Sequence, residues 1–363
     1  MVSVLAVRSS RVLTVDPSVC IIVLNWNNYR DTLECLESLR QIDYSNYCII
    51  VVDNASTNDS IQQLLLYATG DVTIKSRFFE CTSGVRPKDT VTCVREEITK
   101  ENNSRYIAPT SPSDRKIILL KNEKNYGFAE GNNMAIRFAL KIFEPQYVLL
   151  LNNDVVVDKE FLAELIKVAE KERKIGIAGP KIYYYDFLGR SDVIDFAGED
   201  IIMWKGKEFD ARAHDRVKVV DKINGACILV KKEVMEKIGL LDPEFFMYWE
   251  ETDFCYRAKR NGYTAVYVPS SKIWHKGASS HSAIYDWSCK KIYFMNRNRF
   301  LFVKRNADGR DIGKFLIYYF CWDVWLDIGQ ILKHRKFDAF VSYIKSMLSG
   351  LGLFVKTKSG QGW

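Results

Sequence analysis

Carboxylates and amides cluster at three places in this chain of 363 residues, each beside a short apolar or aromatic stretch. Residues 152–154 (NND) follow the apolar run 147–151, residues 53–54 (DN) follow the run 47–52, and residues 250–253 (EETD) follow an aromatic stretch. Parallel strands end at a common edge, where open α/β sheets bind ligands, so we expect the three clusters to share one cleft. Any single cluster could equally be a polar turn, but an oxygen-rich set suits a hard divalent cation, and such a cation suits a diphosphate.

The segments that must position these clusters alternate between strand and helix patterns. Continuously apolar runs, typical of strands buried on both faces, occupy residues 19–24, 47–52, 116–120 and 147–151. Later strands are predicted over 227–230 and over 263–268, which Pro269 ends. Helices are predicted over residues 31–40, 61–67, 134–143, 158–174, 232–238 and 250–260. The predicted fold class is therefore α/β, with a mostly parallel, doubly wound sheet and helices on both faces.

The domain organisation follows from where this alternation begins, pauses and ends. Residues 1–18 are interpreted as a leader without a signal peptide, and residues 19–298 as one α/β domain. Residues 70–116 are polar and show no sustained period, which predicts an insertion that is either a functional flap or partly disordered. Residues 299–363 form a separate helical region.

The C-terminal region combines aromatic, aliphatic and basic residues. Charges within it, such as Lys314, Asp323 and Asp327, argue against a membrane-spanning helix, and no spanning helix is predicted. Its composition suits a helix lying on a membrane interface, and it equally suits helices that pack on the catalytic domain or on a second subunit. Both readings stay open at this point.

Composition limits the class of protein. The chain is 47% hydrophobic and carries a net charge of +7 without a long basic run, so no nucleic-acid partner is expected. The nine cysteines are odd in number and form no CxxC pair, which indicates a reduced, cytoplasmic protein without a zinc site or a disulfide framework. A disulfide between Cys81 and Cys93 is disfavoured.

The order of several motifs resembles that of family 2 glycosyltransferases of the GT-A fold, over roughly residues 19–298. The motifs are IIVLNWNN, VVDNASTNDS, NYGFAEGNN, LLLNNDVVVD, the segment from NGACILV to FMYWEETDFCYRAKRNGY, and IWHKG. Within that family the chain is most similar to rhamnosyltransferases and galactofuranosyltransferases of cell-envelope polysaccharide assembly.

The resemblance implies binding roles for named residues. Asp53 would accept a hydrogen bond from the imide of a uracil or thymine base, as expected for a UDP- or dTDP-linked donor. The other residues implied in nucleotide binding are Asn25, Trp26, Asn125, Gly127, Asn133 and Asn153. Asn125, Gly127 and Asn133 would shape a loop against the ribose and the diphosphate. Asp154 and His275 would hold Mg²⁺ or Mn²⁺, together with Asn152, which replaces an Asp of the family motif and therefore predicts weaker metal binding.

The resemblance also implies a catalytic pair, Glu250 and Glu251, with Glu251 as the general base. Gly225, Trp249 and Asp253 would lie on the acceptor and sugar side, where Trp249 is either a stacking platform or core, and Asp253 either orients the acceptor or is structural. Direct displacement at the anomeric carbon would invert its configuration.

The leading hypothesis is therefore a metal-dependent, inverting glycosyltransferase. It would move a sugar from a nucleotide-diphosphate donor to a hydroxyl of a glycan or lipid-linked acceptor, in the cytoplasm or on the inner face of the cell membrane. A catalytically silent glycan-binding or scaffold subunit is one alternative. A sugar-phosphate nucleotidyltransferase is another, although the segment LNWNNYRDT lacks the glycine-rich, basic loop expected of that class after its first strand.

Overall fold

The computed structural model describes residues 16–70, 72–80, 90–95, 116–210, 214–277 and 288–355. Most of the predicted leader, and the side chains of Cys81 and Cys93, lie outside the described residues. The strands are β1 (Val19–Asn25), β2 (Tyr47–Asp53), β3 (Thr90–Arg95), β4 (Lys116–Lys121), β5 (Tyr147–Asn152), β6 (Val155–Val157), β7 (Ile175–Tyr184), β8 (Ile194–Phe196), β9 (Glu199–Ile202), β10 (Lys207–Asp210), β11 (Lys218–Val220), β12 (Cys227–Lys231) and β13 (Thr264–His275).

The α-helices are α1 (Tyr29–Leu39), α2 (Ser60–Thr69), α3 (Gly127–Ile142), α4 (Phe161–Ala169), α5 (Lys232–Ile238), α6 (Glu250–Arg260), α7 (Cys289–Asn306), α8 (Gly309–Tyr318), α9 (Val324–Lys333) and α10 (Phe337–Val355). A π-helical turn, Tyr319–Asp323, joins α8 to α9. Short 3₁₀ turns occupy Met203–Lys205 and Pro243–Phe245.

One mixed sheet forms the centre of the fold, in the spatial order β11-β13-β7-β12-β5-β1-β2-β4-β3. Strands β3, β4, β2, β1 and β5 are parallel to one another, while β12 runs antiparallel to both β5 and β7. The register sets Asn25 beside Asp53 and Leu24 beside Asn152. The mostly parallel sheet is confirmed, and the polar residues that end β1, β2 and β5 share one edge.

Successive residues of the central strands enter two different cores. In β1, Ile21 and Val23 pack with α1, α2 and α4 on one face, whereas Cys20 and Ile22 pack with α3, α5 and α6 on the other. Burial on both faces explains why these strands have continuous apolar runs rather than alternating patterns.

Part of the predicted insertion 70–116 has regular structure, because β3 pairs with β4 as an edge strand. Two predicted element boundaries were wrong. Helix α3 begins at Gly127 instead of near Met134, since the Phe246 carbonyl accepts from the N–H groups of Phe128 at 2.6 Å and Ala129 at 3.2 Å and so caps the helix. Strand β13 continues past Pro269 to His275, because a register shift between Val268 and Lys272 accommodates the proline.

The C-terminal helices form a third core with the segment that precedes α6. Phe245 and Trp249 pack there with Phe300, Phe302 and other buried residues of α7 to α10. The unbroken helical segment Gly309–Lys333 is long and apolar enough to cross a membrane by length and composition, which corrects the expectation that the chain has no such helix. The cysteines with described side chains are free thiols.

Candidate active site

Asp154 and His275 form an ion pair where β5 and β13 end. Strand β6 pairs with β13 so that Val155 lies opposite His275, and Asp154 Oδ1 then lies 3.2 Å from His275 Nε2. Burial would lower the pKa of His275, but Asp154 and Asp195 outweigh burial and raise that pKa to about 10. Burial would likewise raise the pKa of Asp154, and the His275 charge more than offsets it, so the pair is ionised at neutral pH.

The surroundings of this pair leave room for a cation. A Cβ added to Gly277 would lie 3.0 Å from both Asp154 Oδ2 and His275 Nε2, so glycine keeps the space beside both atoms clear. His275 Nδ1 is buried and has no hydrogen bond, with Asp195 Oδ2 at 3.9 Å. Within the described part of the chain no group of three or more His, Cys, Asp or Glu side chains could hold a metal ion. A cation here would therefore need further ligands from a substrate.

The residues predicted to hold the nucleotide base lie side by side on the sheet edge. The Asn25 amide donates to Asp53 Oδ2 at 2.9 Å, and the backbone N–H of Ser56 donates to Asp53 Oδ1 at 2.9 Å. Thr32 donates to Asn25 Oδ1 at 2.9 Å. Asp53 is thus a fixed, buried acceptor, and each of its oxygens retains capacity for another bond. Trp26 is 45% exposed beside this cluster.

Asn153 and Asn125 lie near this edge, and both form hydrogen bonds with neighbouring protein groups. Asn153 donates to the Asn28 carbonyl at 3.2 Å and to Thr32 Oγ1 at 2.9 Å, which ties the end of β5 to the loop after β1. Asn125 accepts from the Asn54 amide at 3.0 Å. The predicted contacts of both residues with a nucleotide stay predictions.

Asn133 does not lie in a loop, contrary to prediction. It is buried within α3, where its amide donates to the Leu241 carbonyl at 2.7 Å and its oxygen accepts from the Leu241 N–H at 3.1 Å. Gly127 does lie at the helix start, with φ +77°, and a Cβ there would fall 2.5 Å from the Phe246 carbonyl oxygen. Asn133 is therefore a structural clamp, while Gly127 allows the 246–249 turn to approach α3.

Glu250 and Glu251 begin α6 and lie in a buried cluster of charge. Lys222 Nζ lies 3.6 Å from Glu251, 2.8 Å from Glu208 and 3.2 Å from Glu199. Burial raises the pKa of Glu250 well above its ordinary value, and the Glu251 charge adds to that rise. Burial also raises the pKa of Glu251, but Lys222 opposes that rise. Burial therefore favours the protonated form of Glu250, while Lys222 favours the ionised form of Glu251.

The turn that precedes this pair has an unusual backbone. Phe246, Tyr248 and Trp249 all have positive φ, at 62°, 67° and 75°. Each such non-glycine residue is strained, so the surrounding structure must hold the turn in place. Asn298 of α7 does so: its buried amide donates to the carbonyls of Phe245 at 2.7 Å, Met247 at 2.8 Å and Tyr248 at 2.9 Å.

The residues predicted on the acceptor side have different surroundings. A Cβ on Gly225 would lie 3.6 Å from Glu251 Cγ, so Gly225 flanks the predicted base. Asp253 is buried and accepts from Arg257 at 2.7 Å and from Asn306 at 2.9 Å. These contacts favour the structural role of Asp253 over orientation of the acceptor. Trp249 is 5% exposed and packs on Phe302 with ring centroids 5.2 Å apart, so it is largely core and not an open stacking platform.

Three residues at the site had no signal in the linear sequence. Lys222 is a single lysine ahead of a turn, Asp195 lies in a short strand, and Asn298 lies in a basic helix. Each acquires its role only through contacts with residues distant in sequence, which no local pattern encodes.

Comparison with known proteins gives a family match over most of the chain. The profile of the family described as glycosyltransferase like family 2 matches residues 17–291. The low-salt glycan biosynthesis hexosyltransferase Agl10 of Haloferax volcanii is 28% identical over 274 residues, which is 74% of this chain and 85% of that protein. The N-acetylglucosaminyl-diphospho-decaprenol L-rhamnosyltransferase of Mycobacterium tuberculosis is 31% identical over 50% of this chain and 66% of that protein.

Solved structures show the same fold at low sequence identity. The mannosyltransferase PcManGT of Pyrobaculum calidifontis, solved with GDP-Man and Mn²⁺, aligns with a TM-score of 0.52 at 14% identity, over 96% of this chain and 77% of that one. TarS of S. aureus aligns with a TM-score of 0.51 at 13% identity, over 92% of this chain and 80% of that one. The fold of this chain is therefore the GT-A fold.

Proposed function

We propose that this chain, which belongs to glycosyltransferase family 2, transfers a sugar from a nucleotide-diphosphate donor to an acceptor hydroxyl. The observation that carries this proposal is the buried acidic pair at the start of α6, where Lys222 Nζ lies 3.6 Å from Glu251. A general base must be ionised when it meets an acceptor hydroxyl, and the Lys222 charge favours that form of Glu251 against the rise in pKa that burial causes.

The sheet edge is the donor side of the site. Asp53, whose carboxylate is held by Asn25 and by the Ser56 N–H, would accept from the imide N–H of a uracil or thymine base. Trp26 offers an exposed ring beside it. A pyrimidine nucleotide, as UDP or dTDP, is the donor that this arrangement favours.

Asp154 and His275 would hold Mg²⁺ or Mn²⁺. Binding would require His275 Nε2 to lose the proton it directs at Asp154, because only a neutral imidazole ligates a metal ion. The clear space beside Gly277 fits such a cation, whose other ligands would be diphosphate oxygens and water. Asn152, two positions before Asp154, is a neutral third ligand in this proposal. A cation bound here would stabilise negative charge on the leaving diphosphate.

The transfer step uses this chain's own carboxylate. Glu251 takes the proton of the acceptor hydroxyl while that oxygen bonds to the anomeric carbon of the donor sugar. The bond from that carbon to the diphosphate breaks on the opposite face, so the configuration inverts. Protonated Glu250 adds no second negative charge beside Glu251.

We propose a glycan or lipid-linked acceptor and a peripheral position on the inner face of the cell membrane. The name of the decaprenol-dependent relative supports a lipid-linked acceptor. Ile317, Trp322 and Trp325 are each more than 60% exposed on the segment Gly309–Lys333. The same segment is tied to the catalytic domain by buried Asp323, which pairs with Arg299 and Lys207. The segment can therefore lie in the membrane interface with its bonds to the domain intact.

Donor turnover tests the proposed function. Purified protein is incubated with UDP-, dTDP- and GDP-sugars and Mn²⁺, and release of the nucleoside diphosphate is followed. Release from one donor that stops when Mn²⁺ is chelated is the expected result. Failure of every donor both to bind and to turn over would instead support a catalytically silent glycan-binding subunit, a reading that Asn152 in place of a metal-binding Asp favours.

A further inference from the structure

A cavity of about 410 Å³ lies between the β9–β10 hairpin and the helices α7, α9 and α10. Trp249, the residue before the catalytic pair, forms part of its wall. The cavity contains neither the Asp154–His275 pair nor the Asn25–Asp53 edge, so it is separate from the donor side of the site.

Two buried groups in the wall lack hydrogen-bond partners within the described structure. The indole N–H of Trp249 has none, and Trp249 is 5% exposed. Arg299 is 7% exposed, and its Nε also has none, although its terminal nitrogens bond to Asp323 and to the Lys205 carbonyl. Buried donors without partners are costly, which points to a ligand that accepts hydrogen bonds.

The lining chemistry selects among ligand classes. Three carboxylates, from Glu199, Glu208 and Asp327, outnumber the cations Lys207 and Arg299, so an anionic phosphate is disfavoured. An alkyl chain is disfavoured too, because it would leave these polar groups desolvated and unpaired. The remaining wall is apolar and aromatic, and includes Ile292, Met295 and Ile331. A neutral ligand with many hydroxyls and an apolar ring face, such as a hexose, satisfies both kinds of wall.

The cavity connects to the predicted base through one buried lysine. Glu208, in the wall, accepts from Thr252 at 3.1 Å and from Lys222 at 2.8 Å, and Lys222 lies 3.6 Å from Glu251. We propose that this cavity is an acceptor subsite that binds a neutral hexosyl unit of the acceptor glycan beside the catalytic pair. This inference rests on the proposed function and names the acceptor chemistry of the same site.

The test is direct binding of sugars without donor or metal. Methyl glycosides of glucose, galactose, mannose, rhamnose and N-acetylglucosamine are titrated against the full chain, with binding followed by saturation-transfer NMR. Ile331→Trp fills the cavity from α9, and Gln330→Trp obstructs it from a more exposed position on the same helix. Leu332→Trp is the matched control, because Leu332 is 60% exposed and outside the cavity lining.

We expect at least one glycoside to bind, and we expect both Ile331→Trp and Gln330→Trp to weaken that binding about tenfold or more, or ~1.4 kcal/mol, while Leu332→Trp leaves it unchanged. Water-dependent release of nucleoside diphosphate from the donor should be unchanged in the control Leu332→Trp. No binding by any glycoside, or binding that both cavity variants leave intact, would overturn the subsite. If donor turnover is normal in that case, only the subsite is rejected and the proposed function is retained. If sugar binding is intact and donor turnover is absent, only the proposed function is rejected.

Discussion

The side-chain amide of Asn298 lies 2.9 Å from the backbone carbonyl oxygen of Tyr248, which lies fifty positions earlier in the chain. The same amide also bonds to the carbonyls of Phe245 and Met247. One residue of a C-terminal helix therefore holds the strained turn that leads into Glu250 and Glu251. The predicted boundary after residue 298 divides α7 (Cys289–Asn306), so the catalytic turn depends on a helix that continues into the predicted C-terminal region.

Replacing Asn298 should weaken both the fold and catalysis. Asn298→Ala removes the amide that bonds to three buried or partly buried carbonyls, which should cost about 1–3 kcal/mol of unfolding free energy. The turn should then relax, so kcat for donor turnover should fall more than KM for the donor changes. Denaturant unfolding and steady-state kinetics measure the two effects. In the control, Asn261→Ala removes an exposed side-chain hydrogen bond at the end of α6 and should change neither the unfolding free energy nor kcat. A normal kcat in Asn298→Ala would contradict the positioning role of Asn298.

Lys222 should set the acid limb of the pH profile. Glu251 must be ionised to act as a base, so activity should fall as pH falls through its raised pKa, above the ordinary glutamate range. Lys222→Met removes the charge that favours ionised Glu251, which should move this limb to higher pH and destabilise the protein by about 3–5 kcal/mol. Lys222→Arg keeps the charge and should keep the limb near its original position. If the acid limb of Lys222→Met stays in place, the Lys222 charge does not lower the pKa of the catalytic base, which would contradict this account.

Gly127 and Gly70 offer a comparison for the contact between α3 and the catalytic turn. Both have positive φ, at +77° and +84°, but a Cβ on Gly127 would overlap Phe246, whereas one on Gly70 would meet nothing within 4 Å. Each change to alanine should cost about 1–2 kcal/mol through its backbone. Gly127→Ala should cost about 1–3 kcal/mol more through overlap. Equal melting temperatures for the two variants would show that the turn can move away from α3 freely.

The exposed tryptophans of α9 and the π-helical turn should bind membranes. Trp322 and Trp325 are 61% and 65% exposed. Changing both to serine should lower co-sedimentation with phosphatidylglycerol-containing vesicles by about tenfold or more, since each ring contributes apolar area at the interface. Val219→Ser, on the edge strand β11, should bind as the parent does. Unchanged sedimentation of the double variant, together with concentration-dependent dimers of the parent, would assign this face to a second subunit.

The fold was predictable because its strongest signals are local. Strands β1, β2 and β5 are continuous apolar runs, and polar residues mark their shared edge, so Asp53 and Asp154 could be placed near one cleft. His275 was added only through the family resemblance. The start of α3 was not predictable, because the glycines and asparagines of residues 125–133 are typical of loops, and only the fit of Gly127 against Phe246 favours the helix. Lys222, Asp195 and Asn298 gain their roles from tertiary contacts, which a single sequence does not display.

Glu251→Gln compared with Glu250→Gln tests the central claim most directly. Glutamine closely matches a protonated glutamate, so Glu250→Gln should retain most of the turnover, while Glu251→Gln removes the base. With the donor and acceptor found active, and Mn²⁺ present, we expect transfer by Glu251→Gln to fall about 10²–10⁴-fold. Transfer that is lost in Glu250→Gln and retained in Glu251→Gln would contradict the assignment of Glu251 as the base.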